Sequence, residues 1–403
     1  MPGLVDSDLG LGAAGARDRR AALALLSAAA VRERAADVLA AGLEGRLDHF
    51  TVHADWLNAA AVIVADAVRA NYPDLAVPFH ARWRHFVVAG RELWRERVAA
   101  SYWPNVDAQV RAAFDLATIS VLLDAGAGPD WSFREPVTGE VYARSEGLAV
   151  ASLHMFTAGA FSRDPKRDPL RVDAERLAVL TPADIAMGFQ VRAHNPLVGL
   201  EGRAGLLRRL GGIGMERPGD LFDLVAPESE GNGSEVKAAA ILAAVLDKLS
   251  PVWPLPMGDV WKHSTVGLVP FHKLSQWLSY SLVEPLQGAG LNVVELDQLT
   301  GLPEYRNGGL LVDTGALRSK QQALLQQSFA PGDEPIVEWR ALTVALLDRI
   351  AEHVRAHLGL DAKSLPLVKV LEAGTWFAGR AIAAERRPGG GPPIAVASDG
   401  TVF

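Results

Sequence analysis

The stretch VGLVPFHKLSQWLSYSLVEPLQGAGLNVVELDQLTGLPEYRNGGLLVD, residues 266–313, carries most of what the sequence says about fold and site. Phe271 to Gln287 is long and strongly apolar, with hydrophobic positions at helical spacing, so a buried helix is expected there. On it Lys273, Trp277 and Tyr280 fall at i, i+4 and i+7 and share one face. A lysine on a Trp/Tyr face either snorkels its amine to water or lines a pocket. Further on, Leu299-Thr-Gly-Leu-Pro-Glu-Tyr-Arg sets a carboxylate, a phenol and a guanidinium side by side at a turn: Glu304, Tyr305 and Arg306. Asn307-Gly308-Gly309 then leaves the chain free to turn sharply, and Asp313 closes a short apolar run. Taken singly these are a surface lysine and an exposed ion pair. Together, in an apolar setting, they outline a pocket.

Outward from this stretch, helical pattern dominates. Helices are expected over Ala21–Ala41, Trp56–Arg69, Phe79–Val98, Pro196–Leu210, Val236–Leu249 and Glu338–Leu358. Val110 to Leu123 is nearly all apolar and reads as a central buried helix, stopped by Asp124-Ala-Gly-Ala-Gly-Pro. Ser145 is an N-cap candidate for a helix to Ala158, and Thr181-Pro-Ala-Asp is a helix start with an acid in its first turn. Short strands are expected only at Leu310–Val312, Ile394–Ala397 and Thr401–Phe403. The fold class is therefore mainly α, with a few short strands near the C-terminus. Residues 1–20 read as a flexible leader. Residues 21–403 read as one large helical fold, in two lobes (about 21–226 and 235–403) joined by the polar PESEGNGS loop at 227–234.

Composition narrows the function. The chain has 403 residues, 49% of them hydrophobic and 22% charged, which suits a sizeable core. The net charge of −7 argues against a nucleic-acid or anionic-membrane partner. Without a single cysteine, disulfides, thiolate metal sites and Cys nucleophiles are excluded. No apolar run is long enough for a bilayer span and no apolar signal core opens the chain, so a cytoplasmic location is expected.

Generic catalytic motifs fail on context. Gly10-Leu-Gly-Ala-Ala-Gly15 fits G-x-G-x-x-G, but no aliphatic strand precedes it. His353 and His357 are spaced i,i+4 with no third ligand implied, so a solvated helix face is expected and no metal.

Several blocks resemble one family: SVLLDAGAGPDWSF (120–133), RSEGLAVASLHMF (144–156), NPLVGLEGRAGLLRRLGG (195–212), RPGDLFD (217–223), GDVWKH (258–263), LVPFHKLSQWLSYSLVEPLQ (268–287), LTGLPEYRNGGLLVDTG (299–315) and the tail from AGTWFAGRAIAAERRP to SDGTVF. By these the chain is identified as a member of the Urc/Urg-type uracil-catabolism family of fungi and bacteria, over about residues 20–403. The resemblance implies a role in non-reductive uracil breakdown, where a cyclohydrolase-like pathway enzyme opens the ring of a uracil nucleotide and a ribosylurea-type intermediate leads to urea. A fainter resemblance is to queuosine-salvage N-glycosidases, which have a helical DNA-glycosylase-like fold. Their F-[YF]-K-R-x-Q-x-L helix is similar to Phe271-His-Lys273-Leu-Ser-Gln276-Trp-Leu278, and their L-T-x-F-A-D-Y-R turn to Leu299–Arg306. Their E-I-R-A is similar to Glu338-Trp-Arg340-Ala341, their aromatic tail to Thr401-Val-Phe403, and Pro196-Leu197 with Arg203 and Leu206 to a further segment. Glu304 stands where that family has Asp, and Leu274 where it has Arg, so pocket depth and base recognition should differ.

That resemblance implies cleavage of an N-glycosidic bond. Such a step needs a carboxylate beneath an oxocarbenium-like sugar, an activated water and a proton for the departing nitrogen, with no metal or cofactor required. Glu304 is the expected carboxylate and Lys273 the cation beside it. Arg306 either binds a 5′-phosphate or pairs structurally with Asp313 or Glu338. Trp277, Tyr280 and Tyr305 would wall the pocket, Asp130-Trp131 would form a second arm, and His263 and His272 could donate to a leaving urea. The expected substrate is a small ribosylurea-type molecule, with or without a 5′-phosphate. Two alternatives stand beside it: an amidohydrolase or deaminase acting on the ring-opened nucleotide, and a non-catalytic partner of the cyclohydrolase-like enzyme.

Overall fold

The computed structural model describes residues 21–226, 234–253, 257–397 and Thr401. The leader with its G-x-G-x-x-G, residues 227–233 of the polar loop and Val402-Phe403 lie outside the described residues. The architecture is mainly α. Its principal helices are α1 (Ala28–Leu43), α2 (Leu57–Asn71), α3 (Val106–Leu122), α4 (Arg144–Thr157), α5 (Pro182–Gly188), α6 (Leu200–Leu210), α7 (Ala238–Leu249), α8 (Lys273–Gly288), α9 (Tyr305–Asp313), α10 (Glu334–Leu358) and α11 (Trp376–Arg386). Sheets among the described residues are two-stranded and occur along the whole chain, from Phe50–Val52 against Leu317–Ser319 to Ser328–Phe329 against Ala395–Val396.

Local sequence explains several helix starts. Asn105 accepts the Ala108 amide at the head of α3 (2.8 Å), and Thr181 forms a reciprocal capping box with Asp184 at α5. Buried apolar faces then stack α10 on α1 and α2, α8 on α3 and α7, and α9 on α11. Segments from both sides of 227–234 thus meet in one continuous hydrophobic core.

Three local expectations are corrected. Phe79–Val98 is not one helix. It is a 3-10 turn over Arg82–Phe86, a two-stranded hairpin, and a short helix over Leu93–Ala99. Ala89 and Gly90 both take positive φ (49° and 75°) and turn the hairpin, which no helix accommodates. Leu310–Val312 is not a strand, and Asn307-Gly308-Gly309 is not a turn, because all six lie inside α9. These glycines serve close packing: a Cβ on Gly308 would lie 2.8 Å from the Trp339 indole of α10. Ser145 is not the cap of α4, which begins one residue earlier. No helix among the described residues is long and apolar enough to cross a membrane.

Helix α11 packs directly on the backbone of α9, where a Cβ on Gly379 would stand 2.3 Å from the Arg306 carbonyl oxygen. Gly379→Ala should therefore lower stability by about 1–3 kcal/mol, as overpacking against backbone does. Gly205→Ala, in α6 with only the Arg209 side-chain end at an ordinary contact distance of 3.5 Å, should be neutral or stabilising. Thermal denaturation of the two variants checks the contrast.

Candidate active site

A cavity of about 570 Å³ opens where the first residues of three helices converge: Arg144 and Ser145 of α4, Lys273 of α8, and Tyr305-Arg306 of α9 after Glu304. Helix N-termini are positively polarised, so the site is biased toward anions before any side chain is counted. The Asp124–Pro129 loop, His80, His85, Trp277, Trp376 and the 388–396 segment complete the walls.

Buried polar bonds set each wall in place. Asp259 accepts the Lys273 backbone N–H (3.1 Å) and takes both arms of Arg340 (2.8 and 2.7 Å), with Arg340 stacked 4.1 Å over Phe271. This fixes the first turn of α8. Gln276, one turn on, accepts the Thr300 amide (2.8 Å) and donates to the Thr300 hydroxyl (2.7 Å), while Tyr280 donates to the Thr300 carbonyl (3.0 Å). The Leu299–Glu304 turn is thereby clamped to the helix that carries Lys273. Glu304 makes no capping bond to α9, so its carboxylate is left for the cavity. Arg203, fully buried, donates to the carbonyls of Leu123, Ala125 and Gly126 and holds the Asp124 loop. Asp124 in turn accepts from Arg82 (2.8 Å) and from the Ser145 hydroxyl (2.7 Å). Two non-glycine residues at the site adopt left-handed backbone, His272 just before Lys273 (φ 47°) and Arg144 (φ 54°). Such outliers persist only where surroundings enforce them.

The charges shift one another. His80 lies buried with Nδ1 2.7 Å from Glu372 and Nε2 3.8 Å from Glu304. Burial alone would lower its pKa, but the two carboxylates raise it to about 9. At 3.8 Å the contact with Glu304 is too long for a hydrogen bond and acts as a charge pair. Burial would raise the Glu304 carboxyl, yet His80, then Lys273 and Arg306, outweigh it and hold Glu304 below the usual carboxylate range. Asp124 goes the other way, since burial pushes its pKa up despite Arg82 and Lys273. His85 is driven well below its ordinary value by burial and by the charges of Arg82, His80 and Arg306. Glu372 sits in a π-helical turn, Leu371–Thr375, immediately ahead of Trp376. An inserted residue of this kind re-aims side chains and recurs at functional sites.

Of the residues expected at the site, Lys273, Glu304, Tyr305, Arg306 and Trp277 line this one cavity. Lys273 is 9% exposed, its ammonium 5.7 Å from the centre of the Trp277 ring, so it lines the pocket instead of snorkelling. Arg306 pairs with neither Asp313 nor Glu338. Asp313 binds Arg387, Glu338 accepts the His49 and Phe50 amides, and Arg306 lies 3.6 Å from Glu146. The other five do not line the cavity. Tyr280 is a core residue tied to Thr300, and Trp131 a core residue donating to the Phe189 carbonyl (3.0 Å). Asp130 is exposed on the loop beyond Pro129. His272 donates to the Leu25 carbonyl (2.9 Å), and His263 takes the Thr265 amide (3.1 Å) beside Glu338. A shared helix face misled for Tyr280, because residues seven apart are a full two turns from each other, and the cavity meets only the first turns of α8. His353 and His357 are exposed on α10.

Sequence reading missed His80, His85, Asp124, Glu372 and Trp376. The crowding of His, Arg and Trp in FHARWRHF (79–86), and an acid directly after the most apolar helix, were the available signals. Nothing local announces that His80 meets Glu372, 292 positions away.

Residues 24–403 match the family described as Protein of unknown function (DUF1688). The chain belongs to the DUF1688 family. The matched span includes every residue that lines the cavity. Protein urg3 of Schizosaccharomyces pombe (strain 972 / ATCC 24843) is 38% identical over 395 residues, covering 94% of this chain and 98% of that protein. Uracil catabolism protein 4 of Lachancea kluyveri is 36% identical over 415 residues, covering 89% and 93%. This DUF1688 protein is thus related to both along nearly its whole length.

The His80 ring should remain an imidazolium through neutral pH and titrate near 9, as read by NMR of the ring protons, with Glu372→Gln moving the midpoint down. Because the folded value lies above the ordinary 6.5, the stability this charge contributes is complete below about 6.5 and is lost as pH rises through about 9. Denaturant titrations across that window should show stability falling with pH, and less steeply in His80→Gln.

Proposed function

We propose that this protein is a hydrolase of uracil catabolism that cleaves the N-glycosidic bond of a ribosylurea-type compound to release urea and the sugar. The name of the Lachancea kluyveri relative supplies the pathway. The observation that carries the chemistry is an ionised carboxylate and an imidazolium, Glu304 and His80, 3.8 Å apart in the cavity that also holds Lys273.

The step balances with these groups alone. As the C1′–N bond breaks, the electron pair leaves with nitrogen and His80 gives it a proton. Glu304 steadies the positive charge growing at C1′ and takes a proton from the water whose oxygen bonds to C1′. Products are urea and the free sugar hydroxyl. Glu304 now holds a proton and His80 lacks one, and transfer between them restores both. Lys273 favours the ionised form of Glu304 at the start of each cycle and lies where it can bind sugar hydroxyls. Trp277 and Trp376 give the sugar apolar faces, while Asp124, its pKa raised by burial, is the second acidic group of the wall. A cavity of 570 Å³ is of the size that small-molecule sites have.

Incubation of the purified protein with synthetic ribosylurea and with its 5′-phosphate, with urea as the readout, tests the reading. Glu304→Gln and Lys273→Ala should each cut the rate at least ~100-fold, the usual loss when an acid–base or charge-stabilising partner is removed. Unchanged turnover in both variants would discard this assignment of the site.

A further inference from the structure

Arginines cluster along one side of the cavity, with Arg144 and Arg306 in its lining and the more exposed Arg380 behind them. Arg306 and Arg380 lie on the ring of Trp376, at 4.2 and 5.5 Å from its centre, and share a single carboxylate, Glu146, at 3.6 and 3.5 Å. Arg144, which lines the cavity, donates to the Gly389 and Gly390 carbonyls (2.7 and 3.2 Å), and these leave its charge uncompensated. Of these three guanidiniums, Arg306 also feels the Glu304 carboxylate, while Arg144 has no ion-pair partner among the described residues.

Arg306 adds an independent observation. The residue is 8% exposed and lines the cavity, yet its Nη1 has no hydrogen-bond partner among the described residues. A buried charged donor without an acceptor is costly to maintain, and at a cavity wall a bound anion is one way to satisfy it. Its Nε donates to the Tyr305 hydroxyl (3.1 Å) and its face rests on Trp376, so the guanidinium is held in one orientation with one arm unused. The N-terminal turns of α4 and α9 begin at Arg144 and Tyr305 and add their positive ends to the same wall.

We infer that Arg306, Arg144 and the first turns of α4 and α9 form a subsite for a phosphate monoester, so that the enzyme takes a 5′-phosphorylated sugar in preference to the neutral one. A dianion with three acceptor oxygens matches a planar guanidinium fork with an unused arm beside a second, unpaired arginine, whereas a primary hydroxyl would leave those donors largely unmet. The identity of the sugar rests on the glycosidase reading; the anion subsite rests on the wall's own geometry.

Calorimetry with the full-length protein tests it, using ribose 5-phosphate, ribose and inorganic phosphate as probes. Ribose 5-phosphate should bind at least about 10-fold tighter than ribose, the worth of a charge-assisted hydrogen bond. Added salt should weaken that advantage. Arg306→Gln should abolish it and Arg306→Lys retain part of it, with thermal melts confirming that each variant folds. Should Arg306→Gln fail to fold, Arg144→Gln takes its place and should diminish the same preference. Equal binding of ribose and its 5-phosphate, or an undiminished preference in a folded Gln variant, overturns the subsite. If the phosphate preference holds but neither ribosylurea nor its 5′-phosphate yields urea, the subsite stands and the glycosidase reading falls. If both compounds are hydrolysed alike and Arg306 is indifferent, the subsite falls and the reading stands.

Discussion

Asp259 is the carboxylate on which the arrangement depends. It is buried, it takes both arms of Arg340, and it accepts the first amide of α8. A charge taken out of water is tolerated only with a full complement of partners, so the position of that amide is not free to drift. Lys273 starts the same helix. Where its ammonium stands is therefore decided by an ion pair that lines no part of the 570 Å³ cavity, and Gln276 and Tyr280 extend the same rigidity to the turn that ends at Glu304.

The site repeats this logic at higher charge density. Arg82, Asp124, His80, Glu372, Lys273, Glu304 and Arg306 sit together where solvent screens little. Each then moves its neighbours: Glu304 is kept ionised, His80 is kept charged, and His85 is kept neutral beside them. Groups that would titrate ordinarily in water are held in opposite protonation states a few ångströms apart. That is a requirement of acid–base chemistry at neutral pH.

Small residues and one irregular turn make the crowding possible. Gly379 lets α11 rest on the backbone of Arg306, and Gly374 brings the π-helical turn against Val64 of α2, where a Cβ would stand 2.4 Å from a valine methyl. Trp376 reaches Arg306 from one end of that turn, and Glu372 reaches His80 from within it.

The sequence by itself determined the helical class, the buried helix α3, the capped start of α5 and the pairing of Lys273 with the Glu304-Tyr305-Arg306 turn. These follow from periodicity, from caps and from residue types crowded within one short stretch, all of which act locally along the chain. It misjudged the 79–98 segment, where Ala89-Gly90 turn a hairpin inside an apolar run, and the Asn307-Gly308-Gly309 helix, where a glycine reads as a bend unless the indole packed against it is known. Only the tertiary structure decided which other polar residues join Lys273, Glu304, Tyr305 and Arg306 at the cavity. His80 and Glu372 meet across 292 positions, Arg82 and Asp124 across 42, and Tyr280 turns away into the core. Burial and the pairing of charges are properties of three-dimensional neighbours, and no period along the chain encodes them.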